Sequence, residues 1–214
     1  MPLELGDLVL RGGDVVLRPL GLGDADALAS AGAESRDSYG YTPVPNGPAG
    51  ARAYVEHALE QRATGERHAF AIEWRERVVG STSYAQFQPW HWPEGCALAR
   101  EDRPDALEIG YTWLSASAQR TACNTQAKLL LLEQAFERWS VHCVFLKTDA
   151  RNQRSRRAIE ALGAKLDGVL RAHTRGFDCT VRDSAYYSII AGEWPEVRAR
   201  LRQRLARATE PAAR

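Results

Sequence analysis

The sequence predicts an α/β fold, a mixed sheet with helices packed on it. Strand-like and helix-like runs alternate through the middle of the chain, from Leu107 to Leu162. Pairs of strand-like runs joined by short turns stand at both ends. The composition, 44% hydrophobic and 26% charged over 214 residues, suits one globular domain with a sizeable core.

The elements follow in order. Leu8 to Leu10 and Val15 to Leu20 form a strand pair around Gly12-Gly13-Asp14. Asp24 is placed to cap a helix running to about Glu34. Pro48 suits the first turn of a second helix, whose apolar stripe is Ala51, Val55, Ala58 and Leu59. His68 to Trp74 and Arg77 to Phe87 are strands joined at Arg75-Glu76, and Gly80 marks a bulge in the second. Pro89 to Ala106, with its prolines, glycine and mixed charges, is a long surface loop. Leu107 to Leu114 is a strand, and Thr125 to Trp139 a helix. The Leu129-Leu130-Leu131-Leu132 run makes that helix apolar nearly all round, so it packs deep against the sheet. His142 to Thr148 is a strand. Ser155, Ile159 and Leu162 share one helix face, and Gly163 stops that helix. Ala164 to Ala172 and Val181 to Ile190 pair around Gly176-Phe177-Asp178. The last helix starts near Glu193 and uses Val197, Leu201 and Leu205. No repeat or linker interrupts the order, so one domain is expected over 1–208, with a frayed tail over 209–214.

Several function classes lack their signatures. A net charge of +1 lacks the electrostatic footprint of a nucleic-acid binder. No apolar run approaches the roughly 20 residues that span a bilayer. The N-terminus Met1-Pro2-Leu3-Glu4 does not read as a signal peptide, so a cytoplasmic location is the default. The cysteines, Cys96, Cys123, Cys143 and Cys179, match no zinc framework, and no metal is expected. Cys143 reads as a small core residue. Cys123 stands near a helix N-terminus, where a thiol pKa can fall, but no base is identifiable beside it.

The most informative stretch is Gln119-Arg120-Thr121-Ala122-Cys123-Asn124, between the strand ending at Leu114 and the helix from Thr125. A polar loop opening a helix leaves N–H groups without intrahelical partners. With the positive end of the helix dipole they form an anion site. Glu108-Ile109-Gly110-Tyr111 precedes the loop. Asn152-Gln153-Arg154-Ser155 and Ala158-Ile159-Glu160-Ala161-Leu162-Gly163-Ala164 follow the helix.

This succession resembles the GNAT superfamily of N-acetyltransferases, in its Rim-type branch. Its E-I-G-Y strand, Q/R-x-x-G-x-G/A loop, N-x-x-S turn and A-I-E-x-L-G-A helix have counterparts here in the same order. The likeness starts near Val16-Leu17-Arg18-Pro19-Leu20 and runs to about Trp194, with its specificity in 107–164. It implies a mostly antiparallel central sheet of about seven strands, splayed at the centre and flanked by helices. It implies acetyl-CoA as co-substrate and an amine acceptor, either a protein N-terminus or a small molecule such as an antibiotic. Neither nucleic acid nor membrane is expected as partner, and a homodimer is compatible with the reading. On the family's pattern Trp113 and Leu114 supply main-chain groups to the pantetheine arm. Gln119, Arg120, Thr121, Ala122, Cys123, Asn124 and Thr125 form the pyrophosphate loop. Asn152 bonds the arm, and Ser155 lies near the departing thiol.

Ala122 and Asn124 stand where the pattern has glycine, or glycine or alanine. Helical φ at residue 122 accommodates alanine; positive φ would cost about 1–3 kcal/mol. Asparagine at 124 suits a helix start and can donate to phosphate.

Acetyl transfer to an amine needs a proton acceptor, a donor to the thioester oxygen and a donor to the leaving thiolate. Glu108 is the candidate base, directly or through water, its alternatives being an exposed strand carboxylate or an ion pair. Ser155 is the candidate donor to the thiolate, its alternative a polar first-turn residue. Tyr111 is a second donor, or core. Arg151, Arg154, Arg156 and Arg157 form the densest basic cluster, either a solvated face or a source of one phosphate contact. Trp90-His91-Trp92 is the candidate acceptor lid; a subunit contact or a small satellite core are the alternatives. Tyr39 and Tyr41 are the next place to seek acceptor contacts. The rival function is a non-catalytic acetyl-CoA-binding or sensing module, which Ala122 would favour.

Overall fold

The computed structural model describes residues 5–100 and 102–209. The residues expected as a frayed tail, Thr209 apart, lie outside the described set. Strands β1 (Leu10–Gly12), β2 (Val15–Pro19), β3 (Arg67–Trp74), β4 (Arg77–Gln88), β5 (Ala106–Leu114), β6 (Cys143–Asp149), β7 (Lys165–Arg175) and β8 (Val181–Ile190) form one sheet. Its order is β1-β2-β3-β4-β5-β6-β8-β7, eight strands where about seven were expected. The strand pairs are antiparallel except β5 with β6. The helices are α1 (Ala25–Ala33), α2 (Gly47–Ala63), α3 (Cys123–Glu133), α4 (Gln153–Glu160) and α5 (Trp194–Thr209). No helix among the described residues is long and apolar enough to cross a membrane.

The sheet is buried on both faces at its centre, and β3 shows how. Ala69 and Ala71 face a cluster with Leu28 of α1 and Val55 of α2. Phe70 and Ile72 face the opposite cluster, with Leu131 and Leu132 of α3 and Leu201 of α5. Alternate residues of a strand point to opposite faces, so a strand covered on both sides is apolar throughout. The leucine run of α3 is buried as its breadth predicts, and the helix continues into a π turn over Gln134–Arg138.

Two local readings change. Asp24 does not cap α1 with its side chain; it takes two bonds from the Arg18 guanidinium, at 2.6 and 2.9 Å, and one from Gly21 N at 2.9 Å. A charged partner and a preceding turn outcompete the helix end. Gly80 does adjoin an irregularity, since β3 and β4 slip register between Ile72 and Glu73. Its stronger requirement is close approach: a Cβ there would run into the Trp113 carbonyl oxygen of β5.

His68, on β3, is buried with Nε2 unbonded among the described residues. Burial, helped by Arg62 and opposed by Asp7, lowers its pKa from 6.5 to about 4. Between those values the unfolded chain binds a proton that the folded chain does not, so stability falls as pH falls. The slope approaches roughly 1.4 kcal/mol per pH unit. His68→Leu is expected to lose less stability than wild type between pH 6.5 and about 4, measured by urea unfolding at each pH.

Candidate active site

β5 and β6 are paired at only three positions, Ala106 with Cys143, Leu107 with Val144 and Glu108 with Phe145. Beyond Glu108 they part. On its other side β5 slips against β4, leaving Tyr111 and Thr112 between the pairs Ser83–Gly110 and Ser81–Trp113. Tyr111 sits at φ 52°, a conformation uncommon for an aromatic residue outside special sites. This bulge turns the end of β5 away from β6. The resulting cleft, about 1070 Å³, is lined by both strands, the starts of α3 and α4, the segment before α2, and the β7–β8 hairpin. The splay implied by the family resemblance is therefore present.

The loop at the cleft's mouth answers the question at residue 122. Ala122 has φ −68° and ψ −16°, within the helical region, and tolerates a methyl group there. The positive φ of the loop falls on Arg120, at 60°. Thr121 Oγ1 donates to Ala118 O at 2.7 Å and accepts from Cys123 N at 3.2 Å, which winds the chain into α3. Gln126 N to Ala122 O, at 2.9 Å, is the first bond of the helix. The N–H groups of Asn124 and Thr125 lie ahead of it, both residues lining the cleft.

Gln119 is a strut. Its Nε2 donates to Leu114 O at 2.8 Å and Ser38 Oγ at 3.0 Å, and its Oε1 accepts from Arg154 at 3.0 Å. Arg154 also donates to Ser38 O at 2.8 Å, and neither it nor Arg120 has a carboxylate partner among the described residues. Leu114 O accepts a second bond, from Tyr39 OH at 2.8 Å, so this carbonyl is already engaged. The buried Trp113 ring packs edge-on against Tyr39 and Tyr54. Tyr39 is thus core that borders the cleft. Tyr41, at the rim, lies under the Arg151 guanidinium at 4.8 Å.

Asn152 caps α4, its Oδ1 accepting from Ser155 N at 3.0 Å; only its NH₂ end is left for the cleft. The Ser155 hydroxyl lines the cleft and makes no hydrogen bond among the described residues. Cys123 is fully buried, and burial pushes its thiol up to about 12, the opposite of what its helix position suggested. A thiol so protonated is no nucleophile.

Glu108 is 3% exposed, with Lys147 Nζ 2.9 Å from Oε2. Burial raises its pKa, opposed chiefly by Lys147. Gly110 is needed beside it, since a Cβ at that position would strike Glu108 Oε1. The ion pair named as the alternative for Glu108 is present.

Lys128 was missed in the sequence. It is buried under the bulge, donating to Thr112 Oγ1 at 2.6 Å and Thr82 Oγ1 at 3.2 Å. Burial lowers its pKa to about 7, against the pull of Glu108. Its one available signal was a lysine set among Ala127 and the leucines of an all-apolar helix.

Trp90, His91 and Trp92 are not at the cleft. Trp90 stacks on His142 at 5.4 Å with rings 15° apart, and Trp92 meets the same ring edge-on. Asp105 accepts from Trp90 N at 2.7 Å and from Trp92 Nε1 at 2.9 Å. Asp105 and His142 immediately precede the parallel strands β5 and β6, whereas the cleft opens at the other ends of those strands. Trp90 remains 43% exposed, so the loop is pinned by these contacts without being buried, away from the cleft. Trp92→Phe is expected to cost about 1–3 kcal/mol by leaving a buried carboxylate short of a donor. Denaturant unfolding measures it, and the Michaelis constants for both substrates should hold.

A splayed sheet with a helix-opening anion loop beside a buried glutamate defines an acyl-transfer cleft. The described donors suit the co-substrate: backbone N–H groups ahead of α3, and two arginines without carboxylate partners. The GNAT acetyltransferase domain matches residues 14–165. The chain belongs to the GNAT family of acetyltransferases. One solved structure of a candidate acetyltransferase is 35% identical, covers 92% of this chain and 96% of its own, and superposes with a TM-score of 0.75. A candidate acetyltransferase from T. thermophilus is 34% identical over 92% of this chain and 96% of its own, with a TM-score of 0.77. The fold is also that of Mycobacterium smegmatis RimJ in complex with CoA-disulfide, 22% identical over 93% of both chains, TM-score 0.71. No curated protein matches the chain.

Proposed function

We propose that the protein transfers an acetyl group from acetyl-CoA to a primary amine by direct attack within a ternary complex. The acceptor is a small molecule or a protein N-terminus. The observation that carries this reading is Glu108, buried, paired with Lys147 and set where the two strands part. When bound, acetyl-CoA supplies the acetyl group activated as a thioester. The N–H groups of Asn124 and Thr125, with Arg120, receive its phosphates. The NH₂ end of Asn152 meets the arm. Glu108 takes the proton of the acceptor ammonium, directly or through a water, and Lys147 holds the carboxylate in place. The Ser155 hydroxyl donates to the sulfur as it leaves, and Tyr111, which lines the cleft with the Arg67 guanidinium 4.0 Å over its ring, is the second donor candidate. Helical φ at Ala122 removes the feature that favoured a sensing module. The complex of RimJ with CoA-disulfide supports the choice of co-substrate.

The test is calorimetric titration with acetyl-CoA, then thiol release in the presence of an amine panel. Saturable binding and amine-dependent thiol are expected. No binding at millimolar acetyl-CoA would sink the reading.

A further inference from the structure

The acceptor side of the cleft carries more cations than the proposed chemistry uses. Arg182 lies on β8, two residues before Ser184 and four before Tyr186, so all three point to one face of the sheet. Tyr186 is the strand partner of Lys147, the residue that holds Glu108. Arg182 lines the same cleft as Glu108. Its Nε is buried and makes no hydrogen bond, and no carboxylate pairs with it among the described residues.

The neighbouring acids are already committed. Asp149 holds Arg151 through bonds of 3.0 and 2.7 Å, and Asp178 holds the same arginine at 2.9 Å. Glu108 is ion-paired with Lys147 at 2.9 Å, though its Oε2 makes no aligned hydrogen bond. His173 engages both ring nitrogens, with Ser184 and Tyr186, at 3.0 and 3.1 Å. Arg175, across the hairpin opposite Val181, is a second guanidinium lining the cleft without a carboxylate among the described residues.

A guanidinium does not escape burial by losing its proton. Held half-buried and unpaired, it carries a desolvation cost that an arriving oxyanion would offset. Burial already lowers the Arg182 pKa, with Asp149 and Glu108 opposing. Its planar fork matches a carboxylate or a phosphate.

We propose that Arg182, assisted by Arg175, is an oxyanion subsite for the acceptor, so that the favoured substrate is an amine that also bears a carboxylate or a phosphate. The amine end faces Glu108 and the anionic end the β7–β8 hairpin. This rests on the amine-acetylation reading above.

The experiment compares matched acceptors: a dipeptide against its C-terminal amide, and phosphoethanolamine against ethanolamine. Thiol release measures kcat/KM for each. The charged member of at least one pair should be favoured roughly 10–100-fold, the worth of a charge-assisted bond. The favoured pair tells carboxylate from phosphate. In Arg182→Gln the charged-to-neutral ratio should fall toward one, with acetyl-CoA affinity reporting that the variant is folded. Equal rates within both pairs overturn the subsite. So does a variant that lowers both members alike, or one that weakens acetyl-CoA and leaves the ratio intact. If no amine releases thiol, acetylation of amines is the reading that fails. Calorimetry of the acids against the amides then decides the subsite by itself: Arg182-dependent binding of the charged member supports it, and no such binding overturns it.

Discussion

Glu108→Gln is expected to lower turnover about 10²–10⁴-fold, the usual contribution of a positioned general base. Acetyl-CoA affinity should change little, because the carboxylate serves the acceptor's proton and not the phosphates. The position explains the size of the effect. The side chain is 3% exposed, fixed by Lys147 at 2.9 Å and given room by Gly110. The amide keeps the shape and cannot take the proton. The pH profile gives a second readout. Burial raises the Glu108 pKa above its ordinary 4.5. As pH falls through that raised value the base protonates and kcat/KM declines, so the acid limb lies above the ordinary carboxylate range. The variant should lack this limb. Wild-type turnover in the variant across roughly pH 6 to 9 would remove Glu108 from the base role.

Asn124→Pro is expected to weaken acetyl-CoA about 10–100-fold, the loss of one charge-assisted donor. Residue 124 is the second residue of α3, ahead of the first helical bond. Its N–H is free for an anion, and proline has none. Ala122→Gly is the contrasting variant. Because residue 122 is already helical, restoring the family's glycine should leave affinity within about twofold, while making the helix start slightly less stable. Calorimetry on both, with circular dichroism to confirm that α3 persists, reads the pair. A glycine variant that binds much more tightly would mean that the alanine methyl obstructs the loop.

The strand–loop–helix setting of the proposed cofactor loop was legible because it is local, while its cofactor role came from the family resemblance. Spacing alone placed Gln119 to Thr125 between a strand and a buried helix, and Asn152 and Ser155 at the next helix start. Glu108 was legible through its strand, though its partner Lys147 was not, since a parallel pairing across a splay leaves no mark in either strand's sequence. Trp90 and Trp92 show the reverse failure. Aromatics on a long loop have the same sequence whether they cover a ligand or pack on a distant histidine. His142 stands far along the chain, and only the parallel register of β5 and β6 sets it beside Asp105. Lys128 was hidden by its surroundings, because the partners that make it tolerable, Thr82 and Thr112, come from two other strands. The missing partner of Arg182 likewise exists only in three dimensions.

The joint between β5 and β6 is three residue pairs long, while β6 and β8 share seven. The backbone ladder is therefore narrow between β1 to β5 on one side and β6 with β8 and β7 on the other, while one apolar cluster packs under both parts. Along that line the two parts of the sheet are joined by fewer backbone pairs than join β6 to β8. The gap beside that pairing is the cleft proposed above to take acetyl-CoA and the acceptor. A molecule seated there would touch both parts at once, since residues of β5 and of β6 line the cleft. The substrate would then supply, for as long as it stays, contacts across the gap that the two strands leave open.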